Sequence, residues 1–268
     1  MERIIRYIRS TAICLSFICC NNVENKVTTE TIGLNEISPE IATVLPLDEK
    51  DHLIKTDGYV YSIKPRFSTI RKSELQKVTS FEDFIGKEHA DRIVKYKRLS
   101  VILLNGDKKT DVQATGTSGQ FNEQQLKLLR SFEHSTNIVL WADYDEKFDF
   151  SEDLYAETWT PHLTIVPEYE AYYLEGVDSL LSKIQEQSEE LWSNIDTSNL
   201  KPAKIVFTIA SDGTIKNMNL DNTCGYGHID DEMKSLILES NGKWMPAKDI
   251  NGNIVDQELV LSYGALGC

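Results

Sequence analysis

The 268-residue sequence predicts an α+β protein. Short runs rich in β-branched and aromatic residues, such as 59–63 and 100–104, are bounded by Gly, Pro and Asn-Gly punctuation, which is typical of strands. The segment 176–192 instead carries its apolar residues on one helical stripe. These patterns predict a β-rich middle domain (48–166) followed by a domain of helices packed on a small antiparallel sheet (167–268).

The net charge excludes two classes of partner. The formal charge is −14 at pH 7, whereas binding of nucleic acid phosphates requires clustered Lys and Arg. A polybasic surface for anionic lipids is excluded for the same reason. We therefore expect an acidic, soluble body that does not bind nucleic acid.

The N-terminus predicts export. Arg3, Arg6 and Arg9 precede a short apolar run that ends at Cys19 and Cys20. The run is too short to span a bilayer, which takes about 20 residues, and the pattern is typical of a secretory signal over 1–19. A cysteine at the expected cleavage point resembles a bacterial lipoprotein signal, with Cys20 (or Cys19) acylated. A plain secretory signal is the alternative.

The residues after the signal predict a location. Residues 20–47 are polar and aperiodic, which is typical of a tether. We expect a periplasmic protein that is anchored to a membrane by its lipid. The residues directly after the anchor are not acidic: they are Asn21, Asn22 and Val23. This favours the outer membrane.

Two cysteines remain in the exported body, Cys224 and Cys268. An exported pair usually forms a disulfide, and this one would close a loop of about 45 residues worth about 4 kcal/mol on the chain-entropy model. The alternatives are two free thiols or a metal pair. The chain lacks further ligands at zinc-finger spacing, so no metal is expected.

The middle region reads as strands with one well-capped helix. Runs at 100–104, 111–116 and 137–144 predict strands. Asn122 and Gln125 form a capping-box pattern that begins a helix. The stretch SGQFNEQQLKLLRSFEHSTNIVLWADYDE, followed by PHLTIVPE, resembles the β-rich C-terminal domains of gliding-motility periplasmic subunits.

The C-terminal region reads as helix, hairpin, helix and closing strand. Strand 204–210 meets an Asp212-Gly213 turn, and broken parity beyond it predicts a bulge. Asp230, Asp231 and Glu232 suit a helix start. Residues 255–263 then alternate as the last strand, with Leu259, Leu261 and Tyr263 among its inward positions.

This region resembles the C-terminal domain of TonB-type energy transducers over about one hundred residues. The similarity is carried by FTIASDGTI, by GKWMPAK followed by NGN, and by the alternating last strand. The family's Pro-rich spacer and membrane-spanning anchor are missing, and GALGC ends the chain. The resemblance implies a module that binds extended peptides, as the family binds a segment of outer-membrane transporters.

No catalytic signature is present. The sequence contains no HExxH, GxSxG, Walker or strand-linked GxGxxG motif. The best metal-like group, His228 with Asp230 and Asp231, is explained by an acidic first turn. We expect no enzyme activity, no cofactor and no metal site.

The leading hypothesis is a lipid-anchored adaptor that binds extended segments of envelope proteins, including TonB-dependent transporters, by strand addition. The strand expected to present the free edge comprises Asp256, Gln257, Glu258, Leu259, Val260, Leu261 and Ser262. The same strand can also be internal or a blunted edge. The alternative function, from a different class, is a structural scaffold of an envelope assembly, which predicts a broad exposed apolar patch. An enzyme of unrecognised type ranks third and predicts a deep pocket with convergent titratable groups.

Overall fold

The computed structural model describes residues 53–55, 59–149, 153–193 and 195–265. The predicted signal (1–19), the acylated Cys20 or Cys19, the tether (20–47) and Cys268 lie outside the described residues. The described residues belong to one compact unit. Within them, the chain is a mixed α+β protein, which confirms the predicted class.

The described residues form fifteen strands, six α-helices and one 3₁₀ turn. The strands are β1 (Leu53–Lys55), β2 (Tyr59–Lys64), β3 (Ser68–Arg71), β4 (Ile93–Asn105), β5 (Lys108–Gly116), β6 (Asn137–Lys147), β7 (Leu154–Trp159), β8 (His162–Val166), β9 (Tyr172–Tyr173), β10 (Pro202–Ile209), β11 (Ile215–Asn222), β12 (Trp244–Met245), β13 (Ala247–Lys248), β14 (Ile254–Val255) and β15 (Gln257–Ala265). The helices are α1 (Lys72–Leu75), α2 (Glu82–Ile85), α3 (Lys87–Ala90), α4 (Glu123–Ser131), α5 (Val177–Trp192) and α6 (Gly227–Leu238), with a 3₁₀ turn at Thr197–Asn199.

The first sheet is antiparallel, with the strand order β1-β2-β15-β10-β11. Its register follows the period-2 pattern of the sequence, since Ile205 lies opposite Leu261 and Phe207 lies opposite Leu259 on the two central strands. The predicted bulge is confirmed, because the register between β10 and β11 shifts twice. The predicted strand 59–63 is also confirmed as β2, but it pairs with β15 and so joins this C-terminal sheet.

Helices α5 and α6 cover one face of the first sheet. Their apolar stripes supply Leu181 and Ile184 from α5 and Met233 from α6, each no more than 1% exposed. Each fully buried side chain of this kind contributes about 1.5–3 kcal/mol. The stripe predicted for 176–192 is therefore the one that forms the core.

Hydrogen bonds attach β2 to α5. The Trp192 indole donates to the Tyr61 hydroxyl at 2.6 Å, and that hydroxyl lies 2.9 Å from the Ser188 hydroxyl. All three side chains are buried, so each needs the partner it finds here. A segment predicted for the middle domain is thus fastened into the C-terminal sheet, and the boundary at 167 stays a prediction.

The second sheet has the order β3-β8-β6-β4-β5, and β7 also pairs with β6. The pair β3 and β8 is parallel, and the other pairs are antiparallel. Helix α4 packs Leu129 against its inner face. The predicted capping box is confirmed: the Gln125 amide donates to the Asn122 side chain, and the Asn122 amide donates to the Gln125 side chain, both at 2.9 Å.

Strand β7 and the start of helix α6 differ from the expectations. Strand β7 was not predicted, because its side chains are mostly exposed and show no alternation. Helix α6 begins at Gly227, three positions before the acidic run. Asp230 consequently lies inside the first turn, with its carboxylate facing the loop that precedes the helix.

Candidate functional site

The strand predicted to bind peptides, 256–262, corresponds to β15 and lies inside the first sheet. It pairs with β10 over its length up to Gly264, and β2 occupies its other edge from Val260 to Ala265. Val260, Leu261 and Ser262 therefore have partners on both sides, as in the internal-strand alternative. A peptide added there would have to displace β2.

The first part of β15 lacks a strand partner on the β2 side. Gln257 is 1% exposed, and its side chain accepts from the Ala171 amide and donates to Glu170. The Glu258 amide donates to the Ser135 hydroxyl at 2.8 Å. The side chain of Asp256, just before the strand, accepts from the Ser211 amide and pairs with Lys216. The Glu258 bond thus occupies one main-chain donor on the remaining edge of β15, whereas Asp256 contacts the β10–β11 side.

Of the two edge strands of the first sheet, β1 and β11, the longer is β11. Within the part of the chain that the structure describes, no strand pairs with its outer side. The Ile215 amide at its start donates to the Asn241 side chain at 2.8 Å, and Asn217 has a left-handed φ of 53° beside one register shift. The edge is thus bulged, which deters indiscriminate pairing.

A polar cleft of about 450 Å³ lies between the first sheet and the tip of the β4–β5 hairpin. The loop before β6 closes it on a third side. Side chains on one face of β11 contribute Asn217, Asn219 and Asp221. The other lining residues are Arg66, Leu103, Leu104, Asn105, Gly106, Ser135, Thr136, Asn137, Val206 and Glu258.

Arg66 is the central charged group of this cleft. Its Nη1 donates to Asp221 at 2.6 Å and to Asp107 at 3.1 Å, and its side chain is only 4% exposed. Lys204 pairs with Asp107 at 2.9 Å. Burial alone would lower the pKa of Arg66, but the two carboxylates raise it above its usual value. The four groups therefore connect the hairpin tip to strands β10 and β11.

The segment between β2 and β3 holds Arg66 in place. Pro65 interrupts the strand, and the following Phe67 amide donates to the Thr164 hydroxyl at 3.0 Å. That hydroxyl donates in turn to the Asn137 side chain at 2.7 Å. Both side-chain partners are buried in the second sheet, so the backbone directly after Arg66 is fixed.

Glu258 adds a further carboxyl group to the cleft. It projects from β15 on the face opposite to Leu259 and Leu261. Burial raises the pKa of its carboxyl, with the nearby Arg66 acting in the opposite direction. The neighbouring Asp221 carboxylate acts in the same direction as burial.

Cys224 is fully buried beside β15, and no disulfide joins it to another described residue. Desolvation, together with Asp230, raises the pKa of its thiol to about 12. The 2% exposed Asp230 accepts from the Cys224 amide, the Thr223 hydroxyl and the Tyr263 hydroxyl. The bond with Cys268 stays a prediction, because its second cysteine is not among the described residues.

A second cluster of titratable side chains lies where α3, β6 and β7 meet. His89 Nε2 is 3.0 Å from the Tyr144 hydroxyl and 3.5 Å from Glu146. Its ring stacks on Trp159 at 4.3 Å between centroids. Desolvation and Arg92 lower the pKa of His89, and desolvation raises that of Tyr144 to about 12. The partners of His89 come from β6 and β7, so the sequence around it carries no local signal for the cluster.

An exposed apolar surface lies on the two small ribbons, β9–β12 and β13–β14. Tyr172 faces Met245 across the first ribbon, while Tyr169 and Ile254 flank Lys248 on the second. The exposed fractions reach 64% for Tyr169 and 52% for Ile254. We call Tyr169, Tyr172, Met245, Ile250 and Ile254 the apolar ribbon surface.

Across the described ranges, no three His, Cys, Asp or Glu side chains form a group that could hold a metal ion. No helix in those ranges combines the length and apolarity needed to cross a membrane. No protein-family model matches the chain, and neither does any curated protein or solved structure.

Proposed function

We propose that this chain is a lipid-anchored adaptor of a bacterial periplasm that binds extended segments of other envelope proteins. In this proposal, the β-rich middle domain (48–166) precedes a domain similar to the TonB C-terminal domain (167–268). The anchor at Cys20 or Cys19 would keep the adaptor at a membrane, with the outer membrane favoured. Transporters that depend on TonB are among the partners this similarity implies.

The outer edge of β11 is the observation that carries the proposal. An extended segment that pairs with it would gain main-chain hydrogen bonds. Alternate side chains of that segment would point to the same face as Asn217, Asn219 and Asp221, because side chains alternate along a strand. The proposed binding edge is therefore β11 and not β15, which pairs with β10 along one edge and with β2 along most of the other.

Strand addition is tested by cross-linking and then by N-methylation. A photo-reactive residue at Asn222, exposed on β11, should capture envelope proteins in cells, whereas one at the exposed Glu186 of α5 should not. Synthetic peptides of the captured segment should then bind the mature chain. Two series of these peptides carry N-methyl groups on alternate residues, one series at the odd positions and the other at the even positions. Only one series should lose binding, because only every second N–H group of the peptide pairs with the sheet. Equal binding of both methylated series would refute strand addition.

A scaffold function is the second candidate, and the apolar ribbon surface favours it. Tyrosine and methionine are enriched at protein interfaces, and a contiguous exposed apolar patch is a common sign of a contact site. The double change Tyr172→Ser and Met245→Ser should then release the chain from an envelope assembly. Changes on β11 should leave that association intact. If the ribbon changes have no effect on it, the scaffold function fails.

A further inference from the structure

The two faces of strand β11 differ in chemistry. Met218 and Leu220 are half-buried and pack against the core of the first sheet, on the side that α5 and α6 cover. Asn217, Asn219 and Asp221 are exposed and line the polar cleft on the opposite side. Because side chains alternate along a strand, a segment added beside β11 would have one apolar flank and one polar flank.

Helix α6 follows β11 on the apolar side. In its first turn, the Asp230 side chain accepts from the Cys224 amide, two residues beyond the end of β11, at 3.0 Å. Past the other end of the helix, the Asn241 side chain accepts from the Ile215 amide at the start of β11. Lys234 lies between these two attachments, one turn after Asp230 on the same side of the helix. A segment added to β11 would therefore have a helix beside its apolar flank.

The main chain of β11 offers only a short regular stretch for pairing. Its register with β10 shifts on either side of the neighbouring residues Asn219 and Leu220, and Asn217 has a left-handed φ of 53°. The Ile215 amide is already bonded to Asn241. Few main-chain hydrogen bonds are then available to a partner, so its side chains must contribute a large share of the affinity.

We propose that the segment bound by β11 is amphipathic, with two apolar side chains at positions i and i+2 and a polar side chain between them. The apolar pair would lie beside Met218 and Leu220 on the side of α6, where it would be removed from water. The polar side chain at i+1 would face Asn219, whose amide can both donate and accept a hydrogen bond. This inference rests on the proposed strand addition and adds the chemistry of the partner.

A wholly polar segment fits this edge less well. It would leave Met218 and Leu220 half-exposed and would gain only the few main-chain bonds of the short regular stretch. A wholly apolar segment would instead cover the polar side chains of Asn217, Asn219 and Asp221 without replacing their bonds to water, which is costly.

The experiment selects peptides on the mature chain from a display library of random nine-residue sequences. Each selected peptide is synthesised, tested in the two N-methylated series and then added to a chain labelled with ¹³C in its methionine methyl groups. The Met218 methyl should shift and show contacts with the apolar pair of the peptide. Met245, 38% exposed on the apolar ribbon surface, is the matched control and should not respond. Serine at either apolar position should weaken binding about tenfold or more, whereas serine at i+1 should change it by less than about threefold.

Three results would overturn the proposal. The first is a set of peptides that lose binding in one N-methylated series but tolerate serine at both apolar positions, or contact Met245 in place of Met218; strand addition would then stand without the apolar pair. The second is a library that returns no peptide of this pattern. The third is a Met218 shift that depends on protein concentration without peptide, which would assign the edge to a second copy of the chain. Equal binding of both N-methylated series would refute strand addition itself, and with it the chemistry proposed for the segment.

Discussion

Replacing Arg66 by Met tests whether the charged group in the cleft joins the two sheets. Methionine preserves an unbranched apolar stem of similar length, so the change chiefly removes the guanidinium. The two bonds lost are those to Asp221 at 2.6 Å and to Asp107 at 3.1 Å. The carboxylates left behind would lose their buried cation but could still be hydrated.

The expected magnitude follows from the exposure of each partner. A hydrogen bond to a charged group contributes about 1.5–3 kcal/mol when it is well buried. The side chains of Asp107 and Asp221 are 45% and 30% exposed, so water compensates part of the loss. We expect the free energy of unfolding to fall by about 2 kcal/mol in total, and Tm to fall by about 4–8 °C for a chain of this size.

Urea unfolding and calorimetry measure the two quantities. Arg71→Met is the matched control, because Arg71 is exposed and pairs with Glu74 only at 3.5 Å across i,i+3. The control should change stability by less than about 0.5 kcal/mol. A double-mutant cycle with Asp221→Asn should give a coupling energy of about 1 kcal/mol. If Arg66→Met is no more harmful than the control, the interpretation of this group as the junction is wrong.

Three further predictions concern buried groups. Tyr263→Phe removes the hydroxyl that donates to the buried Asp230, so urea unfolding should show a loss of about 1–2 kcal/mol; unchanged stability would contradict the geometry. Desolvation lowers the pKa values of His89 and His134 in the folded chain, so the unfolded chain binds more protons, and stability present above about pH 6.5 is lost as the pH falls. Replacing both histidines by Gln should flatten Tm between about pH 5 and 7, and an unaltered slope would refute that origin. In a chain starting at Asn21, thiol titration after unfolding without reductant should detect no free thiol if Cys224 and Cys268 pair as predicted, while two thiols would exclude the bond.

Local patterns in the sequence were sufficient for the longer elements. The apolar stripe of α5 and the alternating apolar side chains of β10 and β15 all face one shared core. Their periodicity in the sequence is therefore enough to predict these elements. The Asn122 capping box is local in the same sense, since its two hydrogen bonds join residues three apart. Strand β7 was not predicted, because its mostly exposed side chains form no apolar face that a sequence pattern could show.

Strand order and the cleft could not be predicted in the same way. β2 and β15 are almost two hundred positions apart, and neither sequence specifies the other as its partner. Arg66 is a single cation between Pro65 and Phe67, and its role depends on Asp107 and Asp221 from two distant hairpins. Glu258 lines the same cleft as Ser135 and the β4–β5 turn, and nothing near it in the sequence indicates those neighbours. Tertiary contacts of this kind decide where the candidate sites lie.

The most direct test of strand addition is amide hydrogen exchange of the mature chain, with and without the segment captured through Asn222. We predict slower exchange at the amides of β11 in the complex, because new main-chain hydrogen bonds protect them, and unchanged exchange around Tyr172 and Met245. Slower exchange confined to the apolar ribbon surface, with β11 unaffected, would contradict the proposed binding edge and favour the scaffold.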